Sequence, residues 1–519
     1  MNNKQSTHPR RLGVSCIART AFLTALLTIP AMARADDRPP DMSPGTQPAP
    51  NDSTVFRPDP TYQDKPYSAD QQIDIYGGKH AVDEPRPALE LGVPLYEEGP
   101  VSGGFNLIGG KDLVNPAFSV FGDWRTAIAY NDNGHHKEVG QLATTANFEV
   151  DLQLTATERI HALFRPFEQR GFMNKQFFGP DNNGKFNGVD NFNVRDVFFE
   201  GDAGAIFSSL TNSYQSWDLP FSVGLVPMFF QNGVWANDAI AGGAFAIPAL
   251  NSPMLGIANM DLSFFAGFDK VSTPAIKDKN GNLAEDDVKV YGAAAFIEAN
   301  EGYWEAGFGH VDGTGKFGDA REFGDLSYNS ATVAFTRRYF GLLSNSIRGV
   351  WSFGQDPGPD KAKTADGFIV LLENSLITKQ ELTLVPYFNV FAGFKRPQAL
   401  IRNGDAGGIL FNTGIGFQTD GLTGFPKLDD SGQDAFGGAL GVEYLFNLDQ
   451  QIVAELSTVQ TFHGDSDPGR AAKGQQFGLE LRYEIPLTND LIWRCDGMIA
   501  RRVNDNNIAG VRTELRLKF

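Results

Sequence analysis

Long apolar segments are absent from this chain of 519 residues. After the first 35 positions, no run approaches the ~18 uninterrupted apolar residues that a membrane-spanning helix requires. The mean hydropathy is −0.25, whereas a bundle of transmembrane helices would be more apolar. The sequence therefore excludes a helical membrane protein. A membrane β-barrel is compatible with it, because half of each barrel strand faces a polar lumen.

Cysteine and positive charge are also scarce. The chain has two cysteines, Cys16 and Cys495, and the first lies in an N-terminal segment that we expect to be removed. With Cys495 alone, no internal disulfide can form in the mature chain. The 44 Lys and Arg are outnumbered by 62 Asp and Glu, giving a net charge of −18. This acidity predicts that nucleic acid is not a partner.

Catalytic signatures are missing as well. The motifs G-x-S-x-G, H-E-x-x-H and C-x-x-C-H do not occur, and the chain has only seven histidines. We therefore predict no enzyme activity, no catalytic residues, no cofactor and no metal site. A hydrolase built into a barrel is the low-ranked alternative, since His463 and Asp465 lie close together near a predicted strand end.

The first 35 residues have the pattern of a secretory signal peptide. Four basic residues precede the apolar run Ala21–Ile29, and Ala33-Arg34-Ala35 forms an A-x-A cleavage site. We expect the mature chain to begin near Asp36. The five basic and no acidic residues before that point would take the mature net charge to −23.

Residues 36–110 form a Pro-rich segment that cannot build a core of its own. Twelve prolines lie between positions 36 and 100, with Asp, Gln, Ser and Thr between them. This composition predicts an extended periplasmic tail. The sequence becomes more apolar after Gln71, so the later part of the tail is expected either to dock on the following domain or to plug it.

Residues 111–519 alternate between apolar and polar positions. From Gln141 to Leu154 the alternation is unbroken over one full barrel-strand length, whereas strands of soluble sandwiches average about 5–6 residues. Short polar turns alternate with long Gly- and Asp-rich connectors, as in bacterial outer-membrane barrels. We predict an all-β fold, a single antiparallel transmembrane barrel of 18 strands, with 16 as the alternative. The strands are expected to begin near 117, 139, 159, 192, 219, 239, 260, 287, 303, 325, 346, 366, 381, 434, 451, 474, 491 and 508.

The closing sequence GVRTELRLKF places Val511, Leu515, Leu517 and Phe519 on one face of a strand and charged residues on the other. A terminal Phe preceded by alternating apolar residues resembles the sorting signal of the outer-membrane barrel-assembly machinery. We therefore expect location in the bacterial outer membrane, with lipid and that machinery as partners. The long outer loops favour a monomer.

The same alternation predicts which charged side chains line the lumen. The first and last strands become neighbours when the barrel closes, so their inward charges share one wall. Arginines interleaved with acids can form a track for anions, or they can be salt bridges that only fill the lumen. The pore-lining candidates are Asp123, Arg125, Glu149, Asp151, Arg165, Glu480, Arg482, Arg494, Asp496, Arg512, Glu514 and Arg516.

The outer connector 228–243, MFFQNGVWANDAIAGG, is the most distinctive of its kind. Gly233, Trp235, Asn237 and Asp238 are our candidates for a constriction that folds into the lumen. A plain turn within the aromatic girdle is the alternative.

Segment 192–238, FNVRDVFFEGDAGAIF…LPFSVGLVPMFFQNGVW, resembles a strand pair of the alginate-export outer-membrane porin family, whose barrels have 18 strands. The layout of most of the mature barrel is similar, but only this segment matches in detail. The family carries Gly-Arg-Gln where this chain has Gly224-Leu225-Val226, so an arginine expected for a polyanion is absent there.

Two classes of function follow from these patterns and the resemblance. The first is an outer-membrane channel for passive passage or export of small or polymeric anionic solutes. The second is a plugged or structural barrel that serves as a scaffold or conduit for a periplasmic partner bound through the Pro-rich tail.

Overall fold

The computed structural model describes residues 87–93, 103–107, 109–110, 112–134, 138–169, 172–178, 184–277, 283–284, 288–313, 325–359, 361–376, 384–404, 407–416, 421–446, 450–462 and 471–519. The predicted signal peptide, most of the Pro-rich tail, and the pair His463 and Asp465 lie outside the described residues.

The described chain is built almost entirely of antiparallel strands. In chain order they are β1 (Leu89–Gly92), β2 (Ala117–Asp132), β3 (Val139–Gln153), β4 (Arg159–Arg165), β5 (Glu168–Gln169), β6 (Phe172–Phe178), β7 (Phe186–Asn187), β8 (Asn193–Asp202), β9 (Pro220–Phe230), β10 (Ala236–Ser252), β11 (Ile257–Asp269), β12 (Lys289–Ala299), β13 (Gly302–Asp312), β14 (Tyr328–Tyr339), β15 (Leu343–Phe353), β16 (Phe368–Leu376), β17 (Leu384–Phe394), β18 (Ile401–Arg402), β19 (Ala435–Phe446), β20 (Gln450–Thr461), β21 (Gln476–Pro486), β22 (Leu491–Arg502) and β23 (Ile508–Lys518).

Eighteen of these strands form one closed barrel, which confirms the predicted fold class. Each of the 18 begins at most three residues from its predicted position, and residues 407–416 contain no strand, as expected. The barrel closes where β2 pairs with β23, from Asp123 with Lys518 to Asp132 with Ala509. Neither strand is therefore left as an open edge.

Side chains alternate between the inner and outer faces of the barrel strands. On β2, Trp124, Ile128 and Tyr130 are exposed on the outer face, whereas Ala127 and Ala129 are buried on the inner face. Exposed large apolar side chains continue around the outside of the barrel, which is the surface that lipid requires. The protein is an outer-membrane β-barrel.

The third barrel strand is divided, which the sequence pattern did not reveal. β4 pairs with one half of β3, and β6 continues in the same direction along the other half. Between them the chain leaves the ladder at Pro166, which has no backbone N–H to donate. Glu168, in this excursion, is buried and forms ion pairs with Arg165 and Arg195 at 3.0 and 3.2 Å.

The long connector between β8 and β9 contains helix α1 (Ala203–Thr211). Asp202 caps its N-terminus by accepting a hydrogen bond from the Ala205 amide at 2.8 Å, and it also accepts one from the Leu219 amide at 2.9 Å. A 3-10 turn (Pro253–Leu255) lies between β10 and β11. The described residues contain no helix that is both long and apolar enough to cross a membrane.

The connector between β17 and β19, residues 395–434, folds into the barrel, and we call it the crossing loop. Its strand β18 pairs in parallel with Ala236 and Asn237 of β10. Leu400 packs on Gly309 of β13, and the Thr413 carbonyl accepts a hydrogen bond from Asn389 of β17. On the other side, the Thr423 carbonyl accepts one from Asn131 of β2. Since β13 and β2 lie far apart around the barrel, the loop spans its interior.

The described end of the Pro-rich segment docks beside the first strand. β1 pairs with residues 117–120 of β2, and the Asn115 amide donates a hydrogen bond to the Leu154 carbonyl. Asp112 is buried beside Glu158 of the turn between β3 and β4. These contacts place residues 87–93 and 112–115 at the end of the barrel where β2 begins.

Candidate functional site: the barrel interior

Ion pairs cover the inner wall formed by β21, β22, β23 and β2, which we call the arginine wall. Arg125 of β2 donates to both carboxylate oxygens of Glu514 on β23, at 3.0 and 3.1 Å. Arg516 of β23 donates to Asp123 of β2 at 3.1 Å. These two pairs cross the seam where the barrel closes.

Asp496 of β22 is the centre of a second group on the same wall. Arg482 and Arg494 donate to it at 2.7 and 2.9 Å. Arg512 contacts Asp496 at 4.0 Å and also pairs with Glu514, which joins the two groups into one network. Glu480, buried on β21, accepts a hydrogen bond from Ser457 at 3.4 Å.

The charges of the arginine wall differ in depth. The Arg516 side chain is 43% exposed and that of Arg482 is 20% exposed. The carboxylates of Asp123, Glu514 and Asp496 are 9%, 3% and 0% exposed. Four of the five arginines, Arg125, Arg482, Arg494 and Arg516, are thus more exposed than the acids they pair with, whereas Arg512 is itself buried.

The remaining pore-lining candidates lie on β3 and β4. Asp151 is 3.5 Å from His161 and 3.7 Å from Arg159, and Glu149 lies two residues before it on the same face of β3. Arg165 ends β4 and pairs with the buried Glu168. No group of three His, Cys, Asp or Glu among the described residues is placed to hold a metal ion.

Sequence reasoning did not single out Glu168, Arg195 or Glu200 on the inner wall formed by β3, β4 and β8. His161 is 2.9 Å from Glu200 of β8 and stacks on Phe198, and Arg195 pairs with Glu168. The bulge between β4 and β8 shifts the register near Arg195, so simple alternation could not assign its direction. The sequence gives no other signal for these contacts.

The four constriction candidates lie beneath the crossing loop instead of forming a loop of their own. Gly233 belongs to the short turn 231–235, and its carbonyl accepts a hydrogen bond from Arg402. Trp235 is completely buried and donates to Ser330 at 3.1 Å. Asn237 and Asp238 belong to β10, where Asp238 accepts hydrogen bonds from the amide and hydroxyl of Ser272. Segment 395–434 therefore crosses the interior over these four residues, and their role in a constriction stays a prediction.

Arg402 anchors the crossing loop, and nothing in the local sequence marked it. Its side chain is 1% exposed and donates to the Gly233 carbonyl, while its amide donates to the Ser272 carbonyl at 2.8 Å. Burial lowers the pKa of Arg402 to about 10, and the nearby Asp430 opposes this shift. The guanidinium is therefore still charged at neutral pH.

Comparisons with known proteins return fold-level similarity only. No family model and no curated protein sequence matches the chain. Similar solved structures include OccK11 (OpdR) of Pseudomonas aeruginosa, at 10% identity, a TM-score of 0.48, and coverage of 78% of this chain and 96% of that one. OccAB4 of Acinetobacter baumannii has 11% identity and a TM-score of 0.49, with coverage of 78% of this chain and 98% of that one. OccK2 (OpdF) of P. aeruginosa, in complex with glucuronate, has 11% identity and a TM-score of 0.48, with coverage of 78% of this chain and 98% of that one.

The closed barrel, its apolar exterior and its charged interior define a porin-like outer-membrane protein. The resemblance to the alginate-export family is not shown, because no family model matches. At the position where that family has arginine, Leu225 lies in β9 on the same face as the exposed Val223 and Phe229, which is the lipid face.

Proposed function

We propose that the protein is a passive channel for small anionic solutes. The observation that carries this proposal is the depth of the charges on the arginine wall, where four of the five guanidinium groups are more exposed than the carboxylates they pair with. An anion that passes this wall meets exposed positive groups, whereas the carboxylates paired with them are less accessible to a cation. Diffusion past such a wall requires no catalytic residue.

The crossing loop favours small solutes over polymers. It contacts β13 and β17 on one side of the interior and β2 on the other. A polymer would have to thread the remaining space in an extended form, while a small anion needs only a local gap. We therefore rank passage of small anions above polymer export.

The test is the reversal potential of single channels in a planar bilayer under a KCl gradient. We expect the wild type to be anion-selective and Arg516→Gln to lower the anion-to-cation permeability ratio about twofold or more, because the most exposed guanidinium of the wall is lost. Arg337→Gln is the matched control, since Arg337 is also ion-paired but lies on the outer face of β14. A cation-selective wild type, or equal effects of both variants, would refute the proposal.

A plugged barrel that serves a periplasmic partner is the second candidate, and β1 is the observation that favours it. Pairing of β1 with β2 shows that part of the Pro-rich tail attaches to the barrel. Deleting residues 36–86 keeps this pairing, whereas deleting 36–110 removes it. Conductance that appears only after one of these deletions would establish the plugged barrel. Conductance of the full mature chain as a monomer would support the open channel.

A further inference from the structure

A cavity lies on the inner wall across the barrel from the arginine wall. It has a volume of about 480 Å³ and is lined by β12 to β17, together with Asn232. In the order of strands around the barrel, these strands lie roughly opposite β22 and β23. The volume falls within the roughly 300–1,000 Å³ of small-molecule sites.

Two aromatic rings form one side of this cavity. Phe296 of β12 and Tyr303 of β13 stack with centroids 5.5 Å apart and an interplanar angle of 24°. Their side chains are 38% and 47% exposed. Both belong to the inner face, because Phe296 alternates in phase with the buried Val290 and Tyr303 with the buried Val311. The pair therefore offers an apolar surface to a solute inside the lumen and not to lipid.

Hydroxyl and charged groups form the rest of the wall. Ser346 accepts a hydrogen bond from Thr336 at 2.9 Å, and Arg348 donates to Glu373 at 2.9 Å. Arg348 is 3% exposed, and its Nε has no hydrogen-bond acceptor among the described residues. A buried donor of this kind is costly when it is unpaired, so an oxygen of a bound molecule would stabilise it. Glu305 adds a second carboxylate to the cavity.

The crossing loop lies directly against the cavity. Asn389, one of the lining residues, donates to the carbonyls of Thr413 and Gly414 at 3.0 and 3.1 Å. Asn232, another lining residue, accepts a hydrogen bond from Asn412 of the same loop at 3.4 Å. A solute that passes the narrowed region therefore comes within reach of this wall.

We propose that this cavity is a binding site for neutral polyhydroxylated molecules such as sugars and sugar alcohols. An aromatic platform beside carboxylates, hydroxyls and a buried guanidinium donor can pack the apolar face of a sugar ring and hydrogen-bond its hydroxyls. Glu305 and Glu373 outnumber Arg348, so an anion gains less here than at the arginine wall. Since Glu373 is paired with Arg348, an organic ammonium ion would meet the carboxylate of Glu305 alone, whereas a polyol also meets the hydroxyl groups that line the cavity. This site goes beyond the proposed anion channel.

The test is interruption of single-channel current by maltotriose, with choline as a cationic probe. We expect maltotriose to block the wild-type channel in a concentration-dependent way, and Tyr303→Leu to weaken the apparent affinity roughly three- to tenfold through loss of the ring contact. Glu305→Gln should weaken it as well. Arg516→Gln is the matched control, and it should shift ion selectivity without changing the sugar block.

Three outcomes would overturn the site: equal block of wild type and Tyr303→Leu, no block at any soluble concentration, or block by choline but not by maltotriose. Open-channel conductance in KCl reports whether each variant has folded. If the wild type carries no current, maltotriose binding is measured by calorimetry on detergent-folded protein. Binding that depends on Tyr303 would then support the sugar site even though the channel proposal had failed. The absence of binding would refute the sugar site.

Discussion

Asp112 illustrates at the residue scale how the N-terminal segment is held on the barrel. Its side chain is buried next to Glu158, whose carboxylate also accepts hydrogen bonds from Thr157 and from the Asp202 amide. Burial, together with the hydrogen bond to Glu158 and the charge of that carboxylate, raises the pKa of Asp112 to about 6. Burial also raises the pKa of Glu158, but hydrogen bonds from Asp112, Thr155 and Thr157 outweigh this, so that pKa is lowered overall.

These opposite shifts predict a pH optimum for the docked segment. The raised pKa of Asp112 stabilises docking at low pH, and this contribution is lost as the pH rises through about 6. The lowered pKa of Glu158 contributes above its ordinary value of 4.5 and is lost at lower pH. Docking should therefore be strongest near the ordinary pKa values of the two carboxyls, 3.8 and 4.5, and weaker at pH 8, by on the order of 1–2 kcal/mol after allowance for solvent screening.

Limited proteolysis of residues 87–115 at pH 5 and pH 8 measures this effect. We expect faster cleavage at pH 8 in the wild type. Asp112→Asn cannot ionise, so its cleavage rate should be nearly the same at both values. A wild type with equal rates at pH 5 and pH 8 would contradict the role of the carboxyl pair.

At the scale of elements, we expect the crossing loop to limit the width of the proposed channel. It joins β17 to β19, which are neighbours in the barrel, yet it reaches strands on the far side. Leu400, Leu410 and Leu422 are completely or almost completely buried within it. Burial of such side chains is worth roughly 1.5–3 kcal/mol each, which holds the loop inside the barrel.

Replacing residues 398–432 by a short Gly-Ser linker should therefore raise single-channel conductance severalfold, because the interior would lose its cross-lumen segment. The control is the same replacement of residues 503–507, a short connector between β22 and β23. Heat-dependent gel mobility identifies folded barrels in both variants. Equal conductance of the folded loop variant and the wild type would show that the loop does not limit the pathway.

At the scale of the whole molecule, stability depends on the seam between β2 and β23. Ten residue pairs join these strands, although they lie at opposite ends of the chain. Below them, Gly122 donates to the Phe519 carbonyl at 2.7 Å and accepts from the Phe519 amide at 3.1 Å. The Phe519 ring packs against Phe148 of β3, with centroids 5.6 Å apart, so its contact spans three strands.

Phe519→Ala should reduce the fraction of protein that reaches the folded, heat-modifiable form in the outer membrane. The lost packing on Phe148 should destabilise the seam by roughly 1–2 kcal/mol, while the backbone bonds to Gly122 remain. Lys518→Ala is the neighbouring control and should assemble normally. Similar assembly of the two variants would show that the ring makes no special contribution.

The sequence by itself determined the barrel, its strand positions and the facing of its charges. Asp123, Arg125, Arg482 and Arg494 could be assigned to one wall because side chains in a strand alternate with period two, and because closure brings the chain ends together. These are local patterns that need no knowledge of distant contacts. The C-terminal strand shows the same rule, with Leu515 and Leu517 outside and Glu514 inside.

Only the tertiary structure decided the path of the crossing loop, the depth of each charge and the cavity at Tyr303. In the sequence, Arg402 is one basic residue in a Gly- and Asp-rich connector. Only its contacts with β10 and Gly233 show that it anchors the crossing loop. Likewise, Asp496 and Arg516 both face inward, but their neighbours bury one and expose the other. The physical reason is that burial depends on side chains hundreds of positions apart, and local periodicity carries no information about which of them meet.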